Sequence, residues 1–231
     1  MSQNPLSLDE KFLPDQPIHP QSPAFFSQVS ELLAGQPKDP AMVEAALSGW
    51  DGVMEKIAGD LYHLGSMLIG EGEDTILLIE RVVANVDIPT CSDHFDASHK
   101  ARLALAADAI AILSKRDLAA FTVPAEDSGP VSCIEDDDLS AAGVTPSELE
   151  RMLTGPERKH LRAWLESLPV SQRTIFVLRA IGGLSSVEVA VLLAEHGGKA
   201  AEEWTPDTVR SSFRQALCSL ASQLIHATQG R

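Results

Sequence analysis

Apolar residues recur at three- and four-residue spacing through most of the chain, and that spacing predicts helices in series rather than strands. Residues 1–23 are the exception. Pro5, Pro14, Pro17, Pro20 and Pro23 interrupt any helix there and predict a proline-rich tail or a strap laid over the surface. Ser22-Pro23 opens a helix through Leu33, stopped by Gly35 and Pro37, and Pro40 to Ser48 follows. Gly52 to Ile69 carries the broad stripe Val53, Ile57, Leu61, Leu64, Met67 and Leu68. After the turn Gly70-Glu71-Gly72, Asp74 to Val86 has Ile76, Leu77, Ile79, Val82 and Val83 around most of its circumference, which predicts burial on several sides. Ala97 to Arg116 completes a helical bundle over 24–121.

Residues 122–146 break the pattern with Pro124, Ser128-Gly129-Pro130, the acidic run Glu135 to Asp138, and Gly143, and read as a flexible acidic linker. From there residues 147–231 resume as short helices. Leu149, Met152 and Leu153 mark one, and Leu161, Trp164 and Leu165 the next. Pro169 to Ile181 follows, ended by Gly182-Gly183. Ser185 or Ser186 with Glu188 opens a helix whose inward face is expected to be Val187, Val189, Ala190, Leu192 and Leu193. Thr205 as N-cap and Pro206 at the first helical position open the last one. Val209, Phe213, Ala216, Leu217 and Leu220 share its inner face, leaving Arg210 and Arg214 one turn apart on another. The fold class is therefore all-α, in two helical domains joined by the linker.

Composition sharpens this reading. Tyr and Trp together number four, while Ala and Leu abound, as an almost wholly helical protein requires. No stretch approaches the roughly 20 apolar residues of a membrane span, and the first residues lack a basic head and apolar core, so a cytoplasmic protein with no membrane partner is expected. Cys91, Cys133 and Cys218, odd in number and far apart, argue for free thiols in a reducing compartment. The net charge of −15 should repel phosphate, but it is uneven. Residues 156–231 hold nine Lys or Arg against seven Asp or Glu, and the acidity lies in the first two-thirds.

Compact helices ending in one with outward arginines follow the helix-turn-helix design, whose last helix lies in the DNA major groove. The candidate DNA-binding residues are Thr208, Arg210, Ser211 and Arg214 on that helix, with Ser185 and Ser186 positioning the backbone through their amides. Arg173 and Arg179 are as suited to pairing with Glu166 or Glu188 as to touching DNA. The run LPVSQRTIFVLRAIGGLSSVEVAVLL, followed by DTVRSSFRQAL, resembles the promoter-reading domain of the sigma-70 family of RNA polymerase sigma factors, in its extracytoplasmic-function branch. The link from Ala194 to Trp204 is longer than the tight turn of that family.

LYHLGSMLIGEGEDTILLIERVV resembles the other conserved sigma domain, with Leu61, Leu68, Gly70, Glu73, Asp74, Leu78 and Glu80 at matching positions. Where the family places clamp-gripping acids, this chain has Ile76 and Leu77, and its promoter-melting segment keeps only Phe95, Lys100, Arg102, Lys115 and Arg116. The resemblance implies promoter DNA and the RNA polymerase core as partners, and an anti-sigma or other regulatory protein.

Other chemistry carries less. Cys91, Asp93, His94, Asp96 and His99 match no common metal spacing and read as a polar loop, so no metal or cofactor is expected. No nucleophile signature points to an enzyme. Trp50, Trp164 and Trp204 read as core or lid residues. Two functions remain: a sigma-like transcription initiation protein, and a sigma-like scaffold that acts as a protein interaction or regulatory module without binding DNA.

Overall fold

The computed structural model describes residues 56–86, 94–124, 133–156 and 158–229. The expected tail, the helices before Gly52, Trp50 and Cys91 lie outside these residues. Residues 52–231 form one compact unit, and among its described residues there are eight α-helices and no strand.

The first helix, α1, spans 56–69 in its described part. It is followed by α2 (Glu73–Asn85) and the long α3 (His94–Arg116). Gly65 lets α1 approach the start of α2, because a Cβ there would meet the Thr75 methyl at 3.2 Å. Arg116 ties the three together, donating to the Ile69 carbonyl at the end of α1 and pairing with Asp74 of α2 at 2.6 Å. Leu61, Leu64, Leu68, Leu78, Leu105 and Ile110 fill the space between them.

The sequence overstated the burial of α2. Only Thr75, Leu78 and Val82 of it are buried, while Ile76 and Leu77 are each 50% exposed and Val83 is 43% exposed. The helix packs against α3 along one side, so an apolar circumference does not find partners all round.

Four short helices and a long one follow: α4 (Pro146–Thr154), α5 (Arg158–Ser167), α6 (Val170–Phe176), α7 (Ser186–His196) and the long α8 (Pro206–Gln229). Capping explains where several begin. Thr145 and Glu148 form a reciprocal capping box at α4, and Ser185 and Glu188 form another at α7. Thr205 accepts from the Thr208 amide at 3.2 Å at the head of α8. Beyond Phe176, α6 widens into a π-turn over Val177–Ile181, with the Gly182 amide bonding five residues back to the Val177 carbonyl at 2.9 Å.

The two halves expected on either side of 122–146 share one core. α7 packs against both α3 and α8, and buried residues of both halves belong to one continuous hydrophobic cluster. Val189, Ala190, Leu192 and Leu193 are buried as expected, but Val187 is 56% exposed, because α3 and α8 cover other sides of the helix.

The long link between α7 and α8 is part of this junction. It turns at Gly197-Gly198, forms a 3-10 turn (Lys199–Ala201) and buries Trp204, whose indole Nε1 donates to the Phe121 carbonyl beyond α3 at 2.7 Å. Ser114 of α3 donates to the Gly197 carbonyl at 2.9 Å. Gly198 adopts φ 76°, ψ −173°, a region held essentially by glycine alone.

Of the expected linker, residues 125–132 lie outside the described part. Residues 133–146 are docked rather than loose: Ile134, Leu139, Ala142 and Val144 are buried on either side of the acids, and the 3-10 turn Leu139–Ala142 packs on α8. The expectation of free thiols is also overturned for two of the three cysteines. Cys133 and Cys218, 85 positions apart, form a disulfide, with their Cα atoms 5.7 Å apart. Their distance in sequence said nothing about this, because the chain folds residue 133 back onto the middle of α8.

Candidate nucleic-acid interface

Val209, Phe213, Ala216, Leu217 and Leu220 all lie in the core, so α8 presents its opposite flank outward as its periodicity predicts. An aromatic column holds it in place. Trp164 meets Phe176 edge-on at 5.0 Å, Phe176 lies 5.9 Å from Phe213, and the Trp164 indole donates to Ser219 at 3.0 Å.

The structure distributes the candidate residues unevenly over this flank. Thr208 closes the α8 cap with Thr205, its hydroxyl donating to the Thr205 carbonyl at 2.8 Å. Arg210 is partly exposed and pairs with Asp207 one turn back. Ser211 is half-buried. Arg214 donates from Nη1 to the Glu135 carbonyl at 2.9 Å, and its Nε is buried with no hydrogen-bond partner. Ser185 is exposed, but its hydroxyl and amide both donate to Glu188, each at 2.7 Å. Ser186 is buried and accepts from Arg179 at 2.6 Å.

Arg179 therefore belongs to this site, and the sequence left it ambiguous. It sits in the π-turn, with its guanidinium 4.8 Å from the centre of the Phe213 ring. It pairs with Asp137 at 3.1 Å rather than with Glu188, and its Nε too is buried and unpartnered. Arg179 lies in the π-turn that continues α6, the helix that packs against α8. A cue in the sequence was the position of Arg179, four residues C-terminal to Ile175 on the helix that faces α8.

Arg179 and Arg214 thus converge on the same short acidic segment, one through Asp137 and the other through the Glu135 carbonyl. Asp138, next in line, caps the 3-10 turn, and the Ser140 amide and hydroxyl hold its carboxyl below the usual aspartate range. The Asp137 carboxylate and the Glu135 carbonyl thus meet two arginines beside the flank on which phosphate contacts were expected, while Arg210 pairs with Asp207 of its own helix. Glu188 is occupied elsewhere: hydrogen bonds from Ser185 hold its carboxyl below the usual glutamate range, assisted by His99 at 2.8 Å.

In the other half, the acidic turn residue Glu71 pairs with Arg158 and with Arg162 at 2.5 Å, tying the α1–α2 turn to α5. Arg102 donates to the Gly182 carbonyl at 3.1 Å and to Ser98 at 2.9 Å, and Arg116 is engaged with α1 and α2, so two of the four basic residues of the expected melting segment are bound internally. Phe95 there is 78% exposed. Of the metal-like cluster, Cys91 and Asp93 lie outside the described residues and His99 is paired with Glu188. Among the described residues no three His, Cys, Asp or Glu side chains are grouped to hold a metal ion, and no helix is long and apolar enough to cross a membrane.

Fold and site together define a unit, helical with no strand among its described residues, in which an acidic segment meets Arg214 of the last described helix and Arg179 beside it. Compared with known proteins, the chain matches no family model, no curated protein and no solved structure.

Proposed function

We propose that this chain is a sigma-like transcription initiation protein that binds duplex DNA through the outer flank of α8, with Arg210 and Arg214 as its principal contacts, Thr208 and Ser211 beside them, and the RNA polymerase core as a further partner. The observation that carries the reading is the meeting of Arg179 and Arg214 beside that flank, each with a buried Nε donor lacking an acceptor. Buried donors of this kind ask for an anion that the protein itself only partly supplies. Ser185 is the weaker contact of the α7 pair, because its amide and hydroxyl already donate to Glu188, while Arg179 holds the hydroxyl of Ser186.

A second reading has its own support. The exposed Ile76, Leu77 and Val83 on α2, in an acidic half of the chain, suit a protein partner better than DNA. In that reading the chain is an interaction or regulatory module on a sigma-like scaffold, and its partner includes an anti-sigma type of protein or the polymerase core.

The test uses the full chain under reducing conditions, titrated with a short duplex pool of randomised core sequence across a salt series. Binding that weakens with salt, and whose log–log salt slope falls by about 2 in the Arg210→Ala/Arg214→Ala variant with unchanged helical circular dichroism, supports the first reading. An unchanged slope refutes the role given to these arginines. Co-purification with core polymerase, lost in an Ile76→Ser/Leu77→Ser variant, supports the second surface.

A further inference from the structure

The acidic segment and the disulfide are joined in one device. Residues 133–138 lie over α8 with three attachments: the Cys133–Cys218 disulfide, the Arg214 donation to the Glu135 carbonyl, and the Arg179 pair with Asp137. Ile134 anchors the segment from within, and the 3-10 turn Leu139–Ala142 with Gly143 holds its C-terminal end. The attachments differ in kind. Anions compete for the two arginine contacts, whereas the disulfide does not yield to any competing ligand.

We infer that residues 133–138 are a redox-latched cover over the arginine flank of α8: the Cys133–Cys218 disulfide keeps the acids in place, and thiol reduction lets a polyanion displace them. The inference rests on the duplex-binding reading above only for the identity of that polyanion. Three observations point to a cover rather than a fixed part of the core. Asp137 presents its carboxylate and carbonyl to Arg179, and Glu135 its carbonyl to Arg214, where phosphate oxygens would sit. The covered guanidinium groups keep unpaired Nε donors. Finally, the disulfide is open to attack, since Cys133 is exposed and Cys218 only half-buried.

The chemistry is thiol–disulfide exchange with a dithiol reductant. One reductant thiolate attacks Cys133 Sγ, and Cys218 leaves as a thiolate. The second reductant thiolate then attacks the mixed disulfide and releases Cys133. Two electrons and, after protonation, two protons arrive on the protein as two thiols, while the reductant becomes a disulfide. The acids then remain held by Ile134 and two arginine contacts, which phosphate groups can replace.

The test compares the oxidised and dithiothreitol-reduced full chain in a Cys91→Ser background, which leaves a single thiol pair, together with Cys133→Ser as a permanently unlatched form. Hydrogen exchange over 133–138 reports the cover, while the randomised duplex pool and heparin report the uncovered flank. The expected result is faster exchange and at least about tenfold tighter polyanion binding in the reduced and Cys133→Ser forms, because the oxidised form holds the competent state below roughly a tenth of the population. Release of the segment with heparin binding but no duplex binding upholds the latch and rejects DNA as its ligand. Equal exchange in both redox states, equal binding in both, or no binding of either polyanion in any state overturns the inference.

Discussion

Trp204 should be the residue on which the junction between the two halves depends most. Its ring is 4% exposed, and its Nε1 donates at 2.7 Å to the carbonyl of Phe121, itself fully buried. Replacing Trp204 by benzothienylalanine, which keeps the ring's shape but carries sulfur where indole has N–H, leaves the Phe121 carbonyl buried without its donor. An unsatisfied buried acceptor costs about 1–3 kcal/mol, so a loss of about 2 kcal/mol is expected. Trp204→Ala adds the cavity and the lost apolar contact, for about 3–5 kcal/mol in all. Urea unfolding followed by circular dichroism measures both, and the midpoints should fall at constant slope if the native state is otherwise intact. The isosteric variant decides the matter. A loss below about 0.3 kcal/mol would show that the hydrogen bond is replaced by water and that ring packing alone holds the link.

Gly198→Ala is expected to cost about 2–3 kcal/mol in the same assay, because its backbone lies in a region reserved for glycine and a Cβ would stand 2.9 Å from Ser114 Oγ. Ile76→Ser with Leu77→Ser should change stability by less than about 0.5 kcal/mol, since both side chains are half exposed; a loss above 1 kcal/mol would mean that they are covered. Glu188 titrates below its ordinary value in the folded chain, so its contribution is fully present at neutral pH and is lost as pH falls from about 4.5 through that lowered value. Glu188→Gln, which can still cap α7, should flatten that part of the acid limb of a thermal-stability profile and leave its neutral part nearly unchanged.

Two helix starts were legible because capping is local chemistry: Ser185 and Thr205 each declare themselves within four residues, whereas the Thr145 cap was read as part of the linker. The inner face of α8 was legible too, since a period of 3.6 residues places Val209, Phe213 and Leu217 on one side whatever packs there. What periodicity does not report is how many sides a neighbour covers. Ile76, Leu77 and Val187 therefore read as core and stand at the surface. Long-range pairings were hidden for a different reason. Nothing near Cys133 or Glu135 names Cys218 or Arg214 as a partner, and an acidic run reads as solvated until its flanking Ile134 and Leu139 are seen anchored.

These pairings also restrict how a duplex can be held. With α7 packed against α3 and α8, and with Ser185 and Ser186 committed to Glu188 and Arg179, the flank left for phosphate is the first turns of α8 and the adjoining π-turn. It offers three cations, Arg179, Arg210 and Arg214, on a chain of net charge −15. Long-range attraction then has the wrong sign, and affinity must come from close contacts made after the acids leave. Three phosphate contacts correspond to a log–log salt slope of about −2.7, far shallower than the slope of about −10 known for a protein with many phosphate contacts. A slope near that steeper value in the reduced chain would require basic residues beyond this flank, and α8 would then be a minor part of the interface.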